Sequence, residues 1–214
     1  MVCWTDCAKK SKTGIEKRGN NMEIRVLRED ELGHASGLSR YVFDTCLRNR
    51  MEFTQTIPFV ENYISETNLR ELYRENKLVV WGAFEQTQLV GVAGMQTDGM
   101  ITLLYVLPQY TKRRCGMHLL LVMREYAHKV LQINKVVVNA TPAWTAIYFK
   151  KNGFALMNPK QDMHAPFVPM EIAAANYAYQ KKEKISGKTI VGLILACIGF
   201  ATIAGAWFMI SYLF

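Results

Sequence analysis

Cysteine is sparse in this chain, charge is modest, and metal-ligand spacing is lacking. Its five cysteines, Cys3, Cys7, Cys46, Cys115 and Cys197, are odd in number, scattered and without a C-x-x-C pair. Neither a disulfide framework nor a zinc site is expected, and all five read as free thiols. The four histidines, His34, His118, His128 and His164, stand in no ligand spacing such as H-E-x-x-H, so no metal is expected. Internal repeats are absent, and the leading residues lack the basic, apolar, small-residue order of a secretory leader. Charged residues make up only 21% of the 214, but half of all residues are hydrophobic, which excludes a disordered chain and points to one folded domain of ordinary size.

The formal net charge of +8 is unevenly placed. Residues 1–21 carry Lys9, Lys10, Lys12, Lys17 and Arg18 against Asp6 and Glu16, and residues 181–188 carry Lys181, Lys182, Lys184 and Lys188 against Glu183. The interval 22–180 is nearly balanced, with 17 basic and 15 acidic residues. A nucleic-acid partner is therefore not expected, because its electrostatic footprint would have to lie on the domain.

Thr189 to Phe214 holds no charged residue at all. As a helix this stretch would be about 39 Å long, enough to cross a hydrocarbon core of about 30 Å with some tilt. The lysines just before it place the preceding domain on the cytoplasmic side of a membrane. Gly192 with Ala196 and Ala201 with Gly205 are small-residue spacings through which two such helices could pair into a homodimer. The expected organisation is a flexible tail over 1–21, a domain over 22–175, a basic juxtamembrane linker over 176–188 and a single transmembrane helix over 189–214.

Within the domain the pattern gives a short strand at Ile24–Leu27, a helix with Leu32, Leu38, Val42 and Phe43 on one side, and a second helix with Val60, Tyr63, Ile64, Leu69 and Leu72. Two β-rich runs, 78–84 and 89–96, flank Glu85-Gln86-Thr87-Gln88 as a hairpin, and a third strand, 101–107, is closed by Pro108. A helix opening at Gly116, a strand over 135–139, a short helix over 143–151 stopped by Gly153, and a last strand over 167–172 complete the order β-α-α-β-β-β-α-β-α-β. This is a mixed α/β (α+β) chain with a central, mostly antiparallel sheet flanked by helices.

Two stretches carry the chemistry. Tyr105-Val106-Leu107-Pro108-Gln109-Tyr110-Thr111-Lys112-Arg113-Arg114-Cys115-Gly116-Met117-His118 is a strand end, a basic loop, a glycine and a helix start. The unpaired N–H groups and positive dipole of a helix N-terminus can cradle a phosphate or pyrophosphate, and Lys112, Arg113 and Arg114 add neutralising charge. The second stretch runs from Asn139 through Pro142 and Trp144 to Tyr148, Gly153 and Phe154.

Together the two stretches resemble the GCN5-related N-acetyltransferase (GNAT) family over roughly residues 23–173. The first matches its V-x-P strand end, loop and helix, and the second its Asn followed by a short helix ending Y-x-x-x-G-F. The resemblance implies acetyl-CoA as co-substrate and direct attack of a primary amine on the thioester. It implies Tyr148 as general acid toward the departing thiolate, and Tyr105 and Val106 at the cofactor strand, with the Val106 N–H on the acetyl oxygen. Thr111, Lys112, Arg113, Arg114, Cys115, Gly116 and Met117 would wrap the pyrophosphate, and Asn139 would bond the pantetheine arm. Anchoring would place the amine acceptor, a small molecule, peptide or protein, at a membrane.

The sequence departs from the family at Thr111, usually Gln or Arg, and at Arg114, usually glycine. If that position requires φ > 0 an arginine is costly there; alternatively its guanidinium turns outward onto a phosphate. The alternative function is a catalytically degenerate scaffold or acetyl-CoA-sensing module on the same fold. No carboxylate lies on the strand 101–107, so Glu52 and Asp98 are the nearest candidate bases. Cys115, beside a helix N-terminus and basic residues, sits where a thiol pKa is lowered, though no positioned base accompanies it. Trp81 and Phe53 either line an acceptor pocket or fill the core.

Overall fold

The computed structural model describes residues 22–160 and 165–175. The expected tail, linker and transmembrane span, with Cys3, Cys7 and Cys197, lie outside the described residues. Among the described residues no helix is long and apolar enough to cross a membrane.

The elements are β1 (Met22–Val26), α1 (Leu32–Val42), α2 (Ile57–Ile64), α3 (Glu66–Arg74), β2 (Leu78–Glu85), β3 (Gln88–Gln96), β4 (Met100–Val106), α4 (Cys115–Lys129), β5 (Lys135–Ala140), α5 (Ala146–Lys151), β6 (Ala155–Leu156) and β7 (Val168–Ala173). The expected single second helix is two. Ser65 has extended backbone at ψ 143°, and its Oγ accepts the Asn68 N–H at 3.3 Å, so a serine cap restarts the helix as α3. Of the expected apolar set, Val60, Ile64 and Leu69 are buried and Leu72 is partly buried against them, but Tyr63 faces solvent at 46% exposure.

One seven-stranded sheet runs in the order β1-β2-β3-β4-β5-β7-β6. Every neighbouring pair is antiparallel except β4 and β5. The two-residue β6, and the insertion of β7 between β5 and β6, leave no local pattern in the sequence. α4 covers one face over Leu104, Val106 and Val138, while α1, α2 and α3 cover the other over Val80, Val92, Leu103 and Tyr105. Trp81 is a core residue, edge-on to Tyr126 of α4 with ring centroids 5.3 Å apart.

The feature that positions the site is a break in register. Gly94 pairs with Leu103 but Met95 pairs with Ile101, so Thr102 is an extra residue on β4. The bulge turns Ile101 and Leu104 to the same face and leaves Leu103 and Tyr105 on the other. It also marks where β4 leaves β5, whose pairing with it covers only Met100 with Val137 and Ile101 with Val138. Beyond these pairs β5 stays bonded to β7 as far as Ala140, and β4 to β3 as far as Val106. A wedge therefore opens between the carboxyl ends of β4 and β5.

At the opposite end of the sheet the described chain finishes against α4. Arg124 Nη2 donates to the carbonyls of Ala173 at 3.0 Å and Ala175 at 3.2 Å, and the Ala174 N–H donates to the Asn134 carbonyl at 2.8 Å. Leu119 of α4 is fully buried against the sheet. Leu119→Ala should lower unfolding stability by about 3 kcal/mol, the usual cost of a buried cavity, with an unchanged denaturant slope in tryptophan-monitored urea titration.

Candidate active site

Pro108 ends β4 by removing a backbone donor, and the chain turns through a 3-10 segment, Pro108–Arg113, into α4. The Thr111 hydroxyl donates to the Pro108 carbonyl at 2.9 Å, closing that turn. Glu85, at the end of β2, braces it from outside: one carboxylate oxygen accepts from the Tyr110 hydroxyl at 2.9 Å and the other from Arg113 at 2.6 Å. The Arg113 guanidinium also lies 5.2 Å from the Tyr110 ring centroid. Sequence reasoning placed Glu85 only in a hairpin, because its partners lie 25 and 28 residues away. Arg113, expected to neutralise phosphate, is thus tied into an ion pair, and Lys112 and Arg114 are the exposed cations of the loop.

Arg114 answers the question its identity posed. Its backbone is left-handed, φ 62° and ψ 14°, so the position does require φ > 0, at a cost of roughly 1 kcal/mol for a non-glycine residue. Its carbonyl accepts the His118 N–H at 3.0 Å and starts α4, but its side chain gives no cap to the helix, and the first turn holds no acid. The N–H groups of Cys115, Gly116 and Met117 precede the first intrahelical bond and point out of the end of a 15-residue helix. An uncapped helix end beside exposed cations fits a pyrophosphate.

Five residues, Gly116, Tyr148, Val106, Gly91 and Cys115, converge behind this helix end. A Cβ built on Gly116 would stand 2.8 Å from Tyr148 Oη and 3.7 Å from Val106 Cγ2. Only glycine lets α5 bring its tyrosine hydroxyl down onto the helix backbone. A Cβ on Gly91 of β3 would meet Cys115 Sγ at 2.8 Å and Val106 Cγ2 at 3.4 Å, so the Cys115 thiol is tucked under the helix. Burial pushes that thiol up to about 12, the reverse of the lowering its sequence position led one to expect. Cys115 is an inert core thiol that offers only its backbone. Burial, with the neighbouring Cys115 second, also raises the Tyr148 phenol well above its ordinary value, so it stays protonated.

The wall of the wedge follows from ladder parity. The Leu107 N–H bonds to the Val90 carbonyl, which makes Val106 and Gly91 a non-hydrogen-bonded pair and turns the Val106 N–H away from β3 toward the gap. By the same parity the Tyr105 backbone is spent on β3, and its ring is buried under α1, so Tyr105 is scaffold behind the wedge. Asn139 is exposed near the end of β5, on the other wall, and Met117 is half-buried in the first turn of α4.

Of the candidate bases, Asp98 accepts the Met100 N–H at 2.9 Å in the β3–β4 turn, about 20 Å of strand away from Val106. It is a turn residue, remote from the wedge. Glu52 lines a shallow groove with Met51, Phe53 and Thr56, closed on the far side by Pro142, Ala143 and Pro166. Phe53 is therefore a groove residue. The two prolines and Ala143 reach the groove from the segments that follow β5 and precede β7.

Residues 49–174 match the family model described as the acetyltransferase (GNAT) domain. The chain belongs to the GNAT family. As a GNAT enzyme it is an N-acetyltransferase with acetyl-CoA as its co-substrate. Among solved structures, this GNAT chain is similar to the PaiA N-acetyltransferase of Thermoplasma acidophilum in complex with coenzyme A, at 19% identity and TM-score 0.57, over 72% of this chain and 99% of that one. It is also similar to a GCN5-related N-acetyltransferase of Rhodopseudomonas palustris at 16% identity and TM-score 0.56, over 71% and 94%. A spermidine N-acetyltransferase of Vibrio cholerae in complex with CoA and spermine aligns at 17% identity and TM-score 0.53, over 74% and 99%. At these identities the likeness concerns the fold. No curated protein matches the chain.

Gly116→Ala tests the convergence directly. The added methyl displaces Tyr148 Oη, so CoA release should fall at least as far as in Tyr148→Phe, while circular dichroism keeps the helical signal of the parent GNAT fold. Undiminished release would mean that the 2.8 Å approach has no bearing on catalysis.

Proposed function

We propose that the wedge between β4 and β5 transfers an acetyl group from acetyl-CoA to a primary amine, with Tyr148, Val106 and the N-terminus of α4 as its working parts. The observation that carries this is the seating of Tyr148 Oη on Gly116, beside Val106 and at the end of an uncapped helix. Acetyl-CoA supplies an acyl group activated as a thioester. The free N–H groups of α4 hold its phosphates, with Lys112 and Arg114 adding charge from solvent. The Val106 N–H faces the gap and meets the negative charge that grows on the acetyl oxygen. Asn139, on the opposite wall, bonds the pantetheine arm.

Tyr148 acts on the sulfur. A phenol raised by burial is less acidic than an ordinary thiol near 8.5, so complete proton transfer to the thiolate runs uphill. Its contribution is therefore a hydrogen bond that strengthens as the C–S bond breaks and charge develops. Tyr148→Phe should cut kcat roughly 100-fold in an assay of thiol release, with acetyl-CoA affinity by calorimetry within about threefold of the parent. An unchanged kcat would remove Tyr148 from the mechanism.

The same proposal holds the domain at a membrane through the apolar stretch 189–214, on the side of its preceding lysines, and brings two copies together through the Gly192–Ala196 and Ala201–Gly205 spacings. What supports it is 26 consecutive residues without a charge after a basic segment. The full chain expressed in cells should sediment with membranes after alkaline carbonate extraction, and a chain ending at residue 188 should not. Release of the full chain into the carbonate supernatant would refute the anchor.

A further inference from the structure

Glu85 stands outside the wedge, yet it grips the segment that delivers the N-terminus of α4, where the phosphate site is proposed above. Alternation along β2 sets it on the same face as Trp81 and Ala83, the face that α4 covers. Backbone pairing with Met22 of β1 on one side and Gln88 of β3 on the other fixes its place in the sheet.

Tyr110 and Arg113 are three residues apart in the 3-10 segment, so their side chains stand on one side of it. A single carboxylate therefore reaches both, taking the Tyr110 hydroxyl at 2.9 Å and the Arg113 guanidinium at 2.6 Å on separate oxygens. The Tyr110 ring is buried and anchors the front of the segment by packing. Arg113, at its end, is secured by the ion pair and by its place 5.2 Å from that ring centroid. Directly after it come the left-handed Arg114 and the N–H groups of Cys115, Gly116 and Met117. A backbone strained at Arg114 keeps its conformation only where neighbouring contacts impose it.

We infer that Glu85 is the positioning residue of the phosphate cradle. Without touching the cofactor, it sets acetyl-CoA affinity by holding Arg113, and through it Arg114 and the first turn of α4, in the binding conformation. The competing role for Arg113 is direct neutralisation of a phosphate, for which its guanidinium would have to leave the carboxylate. The two roles predict opposite signs. If Glu85 merely withholds a cation, its removal tightens binding; if it braces the loop, its removal loosens binding.

Calorimetry of acetyl-CoA binding to the full chain carries the test, with Glu85→Gln, Arg113→Gln and the exchanged pair Glu85→Arg with Arg113→Glu beside the parent. Glu85→Gln keeps an oxygen for Tyr110 but loses the charge that holds Arg113. Each single substitution should raise the acetyl-CoA Kd about tenfold, as the binding conformation falls to about a tenth of the population, with the circular dichroism of the parent. The exchanged pair restores the bond in reverse and should return the Kd to within about threefold of the parent. Were Arg113 a phosphate ligand, a glutamate in its place would bind worst of all.

Tighter binding by Glu85→Gln, or an exchanged pair no better than the weaker single substitution, overturns the inference. Tyr110→Phe covers the case in which a charge variant fails to fold, since it deletes one hydroxyl from a buried ring. It should weaken binding about threefold, the worth of one hydrogen bond, and an unchanged Kd overturns the brace. A parent chain that binds no acetyl-CoA removes the phosphate site and the brace with it; a parent that binds, with every variant equal to it, overturns the brace alone.

Discussion

Hydrogen bonding between β4 and β5 stops after Ile101 and Val138, in a sheet whose other ladders continue on both sides. Two parallel strands that part company leave edge groups pointing at each other across a gap too wide for direct bonds. Such groups are costly when buried and unpaired, which makes the gap a place that takes in a polar, extended ligand. The extra residue at Thr102 is what parts them: it raises the local twist of β4 and resets its parity, so that Leu104 and Val106 present their N–H groups to the gap rather than to β3. The outward turn of the Val106 N–H follows from that one insertion.

Around the gap the structure spends stability in a few places and recovers it in others. The left-handed backbone at Arg114 is strained, yet it is what lets a 3-10 turn hand over to α4 with its first N–H groups uncovered. Glu85 offsets that strain by gripping Tyr110 and Arg113 together. Burial of the Cys115 thiol on Gly91 and of the Tyr148 phenol on Gly116 keeps water from the hinge between strand and helix, and both groups stay neutral as a result.

Much of this was legible beforehand because it is local. The β2–β3–β4 meander shows as three apolar runs, α4 as a 3.6-residue pattern, and the Pro108 to Met117 and Asn139 to Phe154 stretches as motifs. Other features were not legible, since they depend on contacts between residues far apart in sequence. The bulge at Thr102 is a difference of one residue within an otherwise regular strand; Glu85 reaches its partners only after two strands have folded back; β7 enters between β5 and β6 by a crossover that no period records. Cys115 misled for a related reason. Its sequence neighbours are basic, but the side chain points down to a glycine on β3 rather than out to them. At Ser65 the apolar spacing continued through the break, masking a cap that only the backbone shows.

The way the described chain leaves the sheet has a mechanical consequence. β7 runs antiparallel to β5 through six paired residues, and past its end Arg124 clasps the carbonyls of Ala173 and Ala175. A pull applied beyond Ala175, along the strand axis, loads those six pairs in shear, so they resist together instead of opening one at a time. The load enters at the end of the sheet remote from Val106, and Arg124 directs part of it into the far end of α4. A domain built in this way can be tugged, jostled or tethered at that corner while the gap between β4 and β5 is spared the load.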